Sequence, residues 1–247
     1  MSALRIAAAQ SASTPLDIEA NLRRHLDFLD AAATAGVELL VFPELSLSGY
    51  ELAGLAGCAL RADDARLDPL AERARAAGMT VVAGAPIANP SGLPWIGAIT
   101  LHPDGRRSVY RKRFLHAGEE RHASAGSAIS QVIETGGVRV ALAICADTGN
   151  AQHPHAASVL GAGLYAAGAL ITPAGYAQDA EQLAGYARLF RMDILLANHA
   201  APTGGLESAG RSAFWRAGGE LAGAAPGPGE LLLVASGAGA RVVALDA

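Results

Sequence analysis

Residues 37–44 read Val-Glu-Leu-Leu-Val-Phe-Pro-Glu. Gly36 precedes this apolar run and Pro43 closes it, and a run this short between two such breakers is a strand, not a helix. It is a buried strand with a carboxylate, Glu44, at its C-terminal end. Upstream, Ile18, Leu22, Leu26, Leu29 and Ala33 share one helical face. Pro15, Asp17 and Glu19 suit the start of that helix, where unpaired amides favour acid, and Gly36 suits its end. Residues 4–9 form another short apolar run before it. The chain therefore opens as strand, helix, strand.

The rhythm continues. A helix is predicted at 68–77 and a strand at 80–85, followed by strands at 95–101 and 107–110 joined by Pro103-Asp-Gly105, a specific hairpin signal. Residues 130–134 and 138–144 flank Gly136-Gly137 as a second hairpin. A helix at 151–167, a strand at 169–172, a helix at 177–192 and strands at 194–198, 212–215, 231–235 and 242–245 complete the reading. Alternating units with inserted hairpins predict one α/β domain over residues 1–247, with a mixed sheet and helices on both outer faces.

Composition narrows the function. With 51% hydrophobic and only 17% charged residues the chain is not disordered, and a net charge of −4 does not suit a nucleic-acid partner. The longest apolar run, 156–171, is mostly Ala and Gly and stops at Thr172-Pro173, short of the roughly 20 residues that span a bilayer. The N-terminus lacks the apolar core of a secretion signal. Two cysteines, Cys58 and Cys145, make no disulfide framework, and a cytoplasmic location is expected. Of 19 basic residues Lys112 is the sole lysine; in so Arg-biased a chain it survives either by chance or because a guanidinium does not serve there.

Three reactive side chains fall at predicted strand ends: Glu44, Lys112 and Cys145. Ligands of α/β sheets collect outside the carboxyl ends of strands. Cys145 faces a predicted helix N-terminus, which favours a thiolate, and a carboxylate placed like Glu44 is expected to have a raised pKa and to take a proton from a thiol. Other patterns carry less. His153 and His155 lack the Cys/His/Asp company of a metal site, and there is no Gly-x-Ser-x-Gly elbow, phosphate-binding loop or Rossmann fingerprint. No cofactor and no metal are expected.

Phe42-Pro-Glu-Leu-Ser-Leu-Ser-Gly-Tyr50, Tyr110-Arg-Lys-Arg-Phe-Leu115 and Ile144-Cys-Ala-Asp147 together resemble the nitrilase superfamily of carbon–nitrogen hydrolases. Gln10, Pro103-Asp-Gly105, Ile171-Thr-Pro173 and Asn198 extend the likeness over nearly the whole chain. The resemblance implies a four-layer α-β-β-α sandwich of two mixed sheets, and a homodimer or larger homo-oligomer formed through helices. It implies Glu44 as general base, Cys145 as nucleophile, Lys112 as the cation facing the tetrahedral intermediate, and the Ala146 amide as a further oxyanion donor. It also implies a second active-site glutamate after the lysine, Glu119 or Glu120, with Glu119 preferred by counting back from Gly126.

The expected reaction is cleavage of a small linear amide or N-carbamoyl compound through a cysteine thioester, ahead of nitrile hydrolysis. Acyl transfer to an amine and a non-catalytic scaffold are the alternatives. The chain departs from the family pattern after the cysteine, where Thr148-Gly-Asn-Ala-Gln-His-Pro154 replaces a Phe-Pro-Glu turn.

Overall fold

The computed structural model describes residues 4–128, 130–237 and 239–245. In chain order its elements are β1 (Ile6–Gln10), α1 (Ile18–Thr34), β2 (Leu39–Val41), α2 (Leu55–Cys58), α3 (Asp68–Ala76), β3 (Thr80–Ile87), β4 (Trp95–Leu101) and β5 (Arg107–Arg111). Then follow β6 (Gln131–Thr135), β7 (Val138–Ile144), α4 (Gln152–Val159), β8 (Leu164–Ala169), α5 (Tyr176–Phe190), β9 (Asp193–Asn198), β10 (Ala213–Trp215), β11 (Leu221–Ala224), β12 (Leu231–Ser236) and β13 (Gly239–Val243).

The strands form two sheets where direct reading of the elements predicted one. A seven-stranded sheet runs β13-β12-β1-β2-β3-β4-β5 and a six-stranded sheet runs β11-β10-β9-β8-β7-β6. Each has a parallel trio at its heart, β1-β2-β3 and β7-β8-β9, flanked by antiparallel strands. The parallel links require crossovers, which α1, α3, α4 and α5 supply on the outer faces. Asp17 caps α1 by accepting from the Ala20 amide at 2.9 Å.

Burial follows the layers. Leu39, Val41, Val82 and Ile96 of one sheet meet Val140, Leu142, Leu164 and Leu195 of the other in the inter-sheet core. Outer faces pack on helices: Leu40 and Val81 against Phe28 and Leu70, and Tyr165 and Leu196 against Leu183 and Ala187. The result is the α-β-β-α sandwich, and among the described residues no helix is long and apolar enough to cross a membrane.

Two glycines let the segment after β2 pass between the sheets. A Cβ on Gly84 would lie 2.2 Å from the Pro43 carbonyl oxygen, and one on Gly168 would lie 2.5 Å from that of Phe42. Without these close approaches Glu44 would not enter the inter-sheet space.

One predicted element differs in kind. The helix expected over 151–167 ends at Val159, Gly161 turns the chain at φ +74°, and Leu164–Ala169 is strand β8, central in its sheet. The strand expected at 169–172 is thus displaced toward the N-terminus. An Ala/Gly-rich run has no apolar period to separate helix from strand, and here parallel pairing with β7 and β9 decides.

Candidate active site

Glu44 follows β2, Lys112 follows β5, and Cys145 follows β7, so the ends of both sheets deliver their reactive groups to one place. Lys112 Nζ donates to Glu44 Oε1 at 2.6 Å and to Glu119 Oε1 at 2.7 Å. All three side chains are buried. Glu119 sits in a short 3-10 turn, Glu119–Arg121, and also accepts from the Tyr50 hydroxyl at 2.7 Å and the His116 amide at 2.8 Å. Glu120, its sequence rival, is exposed and accepts from the Gly118 amide instead.

Charge is scarce here and therefore strongly coupled. Burial raises the Glu44 pKa to about 7; Lys112 opposes the rise and Glu119 adds to it. Burial also works against the Lys112 charge, but Glu44, Cys145 and Glu119 outweigh it and the ammonium is held. Among the described residues, the buried Glu44 Oε2 has no hydrogen-bond partner. It is the one carboxylate oxygen of the cluster free to take a proton.

Cys145 opens a single 3-10 turn, Cys145–Asp147, with φ +42°, a strained value for a side chain of its size. Burial and the nearby Glu44 push its thiol pKa up, so the resting group is a thiol rather than the expected thiolate. The reason is local. The next helix, α4, begins only at Gln152, and one 3-10 turn supplies little dipole to the sulfur. The thiol donates weakly to the Leu170 carbonyl at 3.8 Å.

Several supporting groups were given no role by the sequence, although Asp147, Tyr110 and Asn198 stand in the stretches that carried the resemblance. Asp147 Oδ1 accepts from the Arg113 and Phe114 amides at 3.0 and 2.9 Å, while Oδ2 accepts from the Ile144 amide and the Tyr110 hydroxyl at 3.0 and 2.7 Å. One carboxylate thus ties the lysine-bearing loop to the cysteine turn. Tyr110 uses its proton on Asp147, so its oxygen accepts from His153 Nε2 at 2.8 Å, and His153 Nδ1 accepts from the Tyr165 hydroxyl at 2.8 Å. Burial lowers the His153 pKa, consistent with that neutral tautomer. His155 lies apart, against Phe190. The departure after the cysteine is therefore a polar clamp beneath the site. His199 Nε2 donates to the Glu44 carbonyl oxygen at 2.7 Å, and Asn198 bonds the Ile171 backbone on both sides, steadying the loop below the thiol.

Above Cys145 and Ala146 opens a cavity of about 640 Å³, walled by Tyr50, Phe114, Leu170 and Leu206 among others. A shallower cleft of about 760 Å³ beside Trp95 and Arg111 holds none of these groups.

The structure thus brings a cysteine, a buried ammonium and two carboxylates together on an α-β-β-α sandwich. The chain belongs to the carbon–nitrogen hydrolase family, whose model matches residues 5–239. It is 28% identical, with a TM-score of 0.85 over 95% of this chain and 91% of the other, to a cysteine-to-alanine mutant of the amidase from Nesterenkonia sp. AN1 in complex with butyramide. A glutamate-to-glutamine mutant of the same amidase, with Michael addition of acrylamide at its active-site cysteine, matches at 28% identity and TM-score 0.83, covering 94% of this chain and 92% of that one. Among curated proteins the chain is 33% identical to the glutamine-dependent NAD(+) synthetase of Thermotoga maritima over 67% of its length and 29% of that protein's. It is 27% identical to an aliphatic nitrilase of Sinorhizobium fredii over 49% of its length and 45% of the nitrilase. The matched stretches thus span less than half of these two curated relatives.

Proposed function

We propose that the protein hydrolyses small linear amides, N-carbamoyl compounds included, through a thioester on Cys145. The observation that carries this reading is Lys112 Nζ held between Glu44 and Glu119 beside a thiol that opens on a cavity. The Cys145 S–H proton passes to Glu44 Oε2 as sulfur attacks the amide carbonyl. The Lys112 ammonium and the Ala146 amide face the oxyanion. Glu44 returns the proton to the leaving nitrogen, the C–N bond breaks, and ammonia or an amine departs. Water then gives a proton to Glu44 as its oxygen attacks the thioester; the C–S bond breaks, the acid departs, and Glu44 returns that proton to the sulfur to restore the thiol. Glu119 fixes Lys112 and is itself held by Tyr50. The butyramide complex and the acrylamide adduct at the cysteine of the Nesterenkonia amidase support this substrate class.

Ammonia release from a panel of short amides, followed against pH, tests the reading. Glu44 accepts a proton only when ionised. With its pKa at about 7, kcat/KM is expected to fall about tenfold per pH unit on the acid side of neutrality and to level off above it. A flat profile between pH 5 and 8, or no ammonia from any amide, contradicts it.

The homodimer belongs to the same proposal. Val159 at the end of α4 and Leu189 near the end of α5 are 73% and 70% exposed, apolar side chains on the outer helical layer that a helix-to-helix contact between two copies would cover. Light scattering is expected to give twice the 25.0 kDa chain mass, and a Val159→Glu, Leu189→Glu pair to halve it.

A further inference from the structure

The cavity over Cys145 carries one carboxylate in its wall, Asp179, and no Lys or Arg. Asp179 lies in the first turn of α5 and is half-buried. Among the described residues its carboxylate makes no hydrogen bond or ion pair; burial alone acts on it and raises its pKa. Arg113, Arg188 and Arg191 do not line this cavity. Arg113 reaches the Gly126 carbonyl at 3.3 Å and spreads over Phe114, while Arg188 and Arg191 sit at the far end of α5. Beneath the cavity, Glu44 and Glu119 share the single Lys112 charge. The wall thus carries Asp179 and His116 but no Lys or Arg. Above neutrality, with Glu44 ionised, two carboxylates face one ammonium beneath it, and low-dielectric walls concentrate that net negative charge.

An unpaired, partly desolvated carboxylate is unfavourable, and the positive end of α5 offsets only part of that cost. A cation in the cavity completes the balance. Resting on the amide-hydrolase reading above, we infer that Asp179 selects linear amides bearing a protonated amine or guanidine away from the scissile carbonyl. Amides ending in a carboxylate are rejected by the same charge. Within the broad class proposed above, this disfavours N-carbamoyl amino acids and the monoamides of dicarboxylic acids. It favours ω-amino amides and carbamoylated diamines.

Three amides of equal chain length test this at about pH 8 and low ionic strength: one ending in an ammonium, one in a methyl, one in a carboxylate. The wild type is expected to favour the ammonium over the methyl amide in kcat/KM by about tenfold or more, as a charge-assisted contact allows, and to turn over the carboxylate amide slowest. Asp179→Asn is expected to bring the ammonium-to-methyl ratio to about one, a ratio from which any general loss cancels. A wild-type ratio of one or below overturns the inference. So does a ratio that Asp179→Asn leaves intact while lowering Tm, the result expected if the residue serves only the end of α5. Should no amide turn over, the amide-hydrolase reading fails by itself. The inference is then read from alkylammonium protection of Cys145 against iodoacetamide, with the matching alkanol as control. Protection by the ammonium in the wild type but not in Asp179→Asn sustains it; equal protection by both compounds overturns it.

Discussion

A Glu44→Gln variant is expected to lose at least about 10³-fold in kcat on any amide the wild type cleaves. In the proposed cycle Glu44 handles every proton: it takes one from the thiol, delivers it to the leaving nitrogen, takes one from water and returns that one to the sulfur. Burial keeps the Cys145 thiol protonated, so without a base the nucleophile is not formed. Glutamine has the same shape, and its carbonyl oxygen can still accept from Lys112, which keeps its ion pair with Glu119. The fold should therefore survive, with Tm within a few degrees of the wild type. Steady-state kinetics beside a thermal melt separates the two effects, and the acid limb near pH 7 should vanish from whatever activity remains. A variant that retains a tenth of the activity would remove Glu44 from the mechanism.

Lys112→Met should damage both rate and stability. Losing one oxyanion donor in an enclosed site typically lowers kcat about 10²–10³-fold. The loss also strands two buried carboxylates, and breaking a buried pair from one side costs about 3–5 kcal/mol. The sign of the pH dependence follows. Without the ammonium the folded-state pKa of Glu44 rises further above its unfolded value of 4.5. The folded variant then binds protons more tightly than the unfolded chain, so stability falls as pH rises through that window and returns as pH falls toward 5. Melting the variant and the wild type in parallel from pH 5 to 8 should show a gap that widens with pH. Lys112→Arg should not restore the rate, because a fully buried point charge shared by two carboxylates leaves no room for a planar fork.

What the sequence revealed depended on whether a residue's surroundings were local. Glu44 and Cys145 were legible because each ends an unmistakable buried run, and Lys112 because no other lysine competes with it. Glu119 and Glu120 are adjacent and chemically alike; the sequence preferred Glu119 only by its spacing from Gly126, and the 3-10 turn that buries Glu119 and exposes Glu120 is the physical difference between them. His199 reaches Glu44 across 155 residues, and no pattern near either residue announces that contact. His153 read as a helix-start or loop residue without metal company, and its partners Tyr110 and Tyr165, on strands of different sheets, could not be seen from the sequence. Strand β8 was hidden by its own composition. Gly168 must clear the chain carrying Glu44, and the small residues that allow this also erase the period that would have marked a strand.

The central claim is a covalent acyl group on Cys145, and acid-quenching the enzyme during turnover of butyramide tests it most directly. Peptide mass spectrometry is expected to find one butyryl group on the Cys145 peptide and none on Cys58. The label should be absent from Cys145→Ser and should disappear as substrate is exhausted. Ammonia released at full rate with Cys145 unmodified at every quench time, or undiminished turnover by Cys145→Ser, would contradict the account.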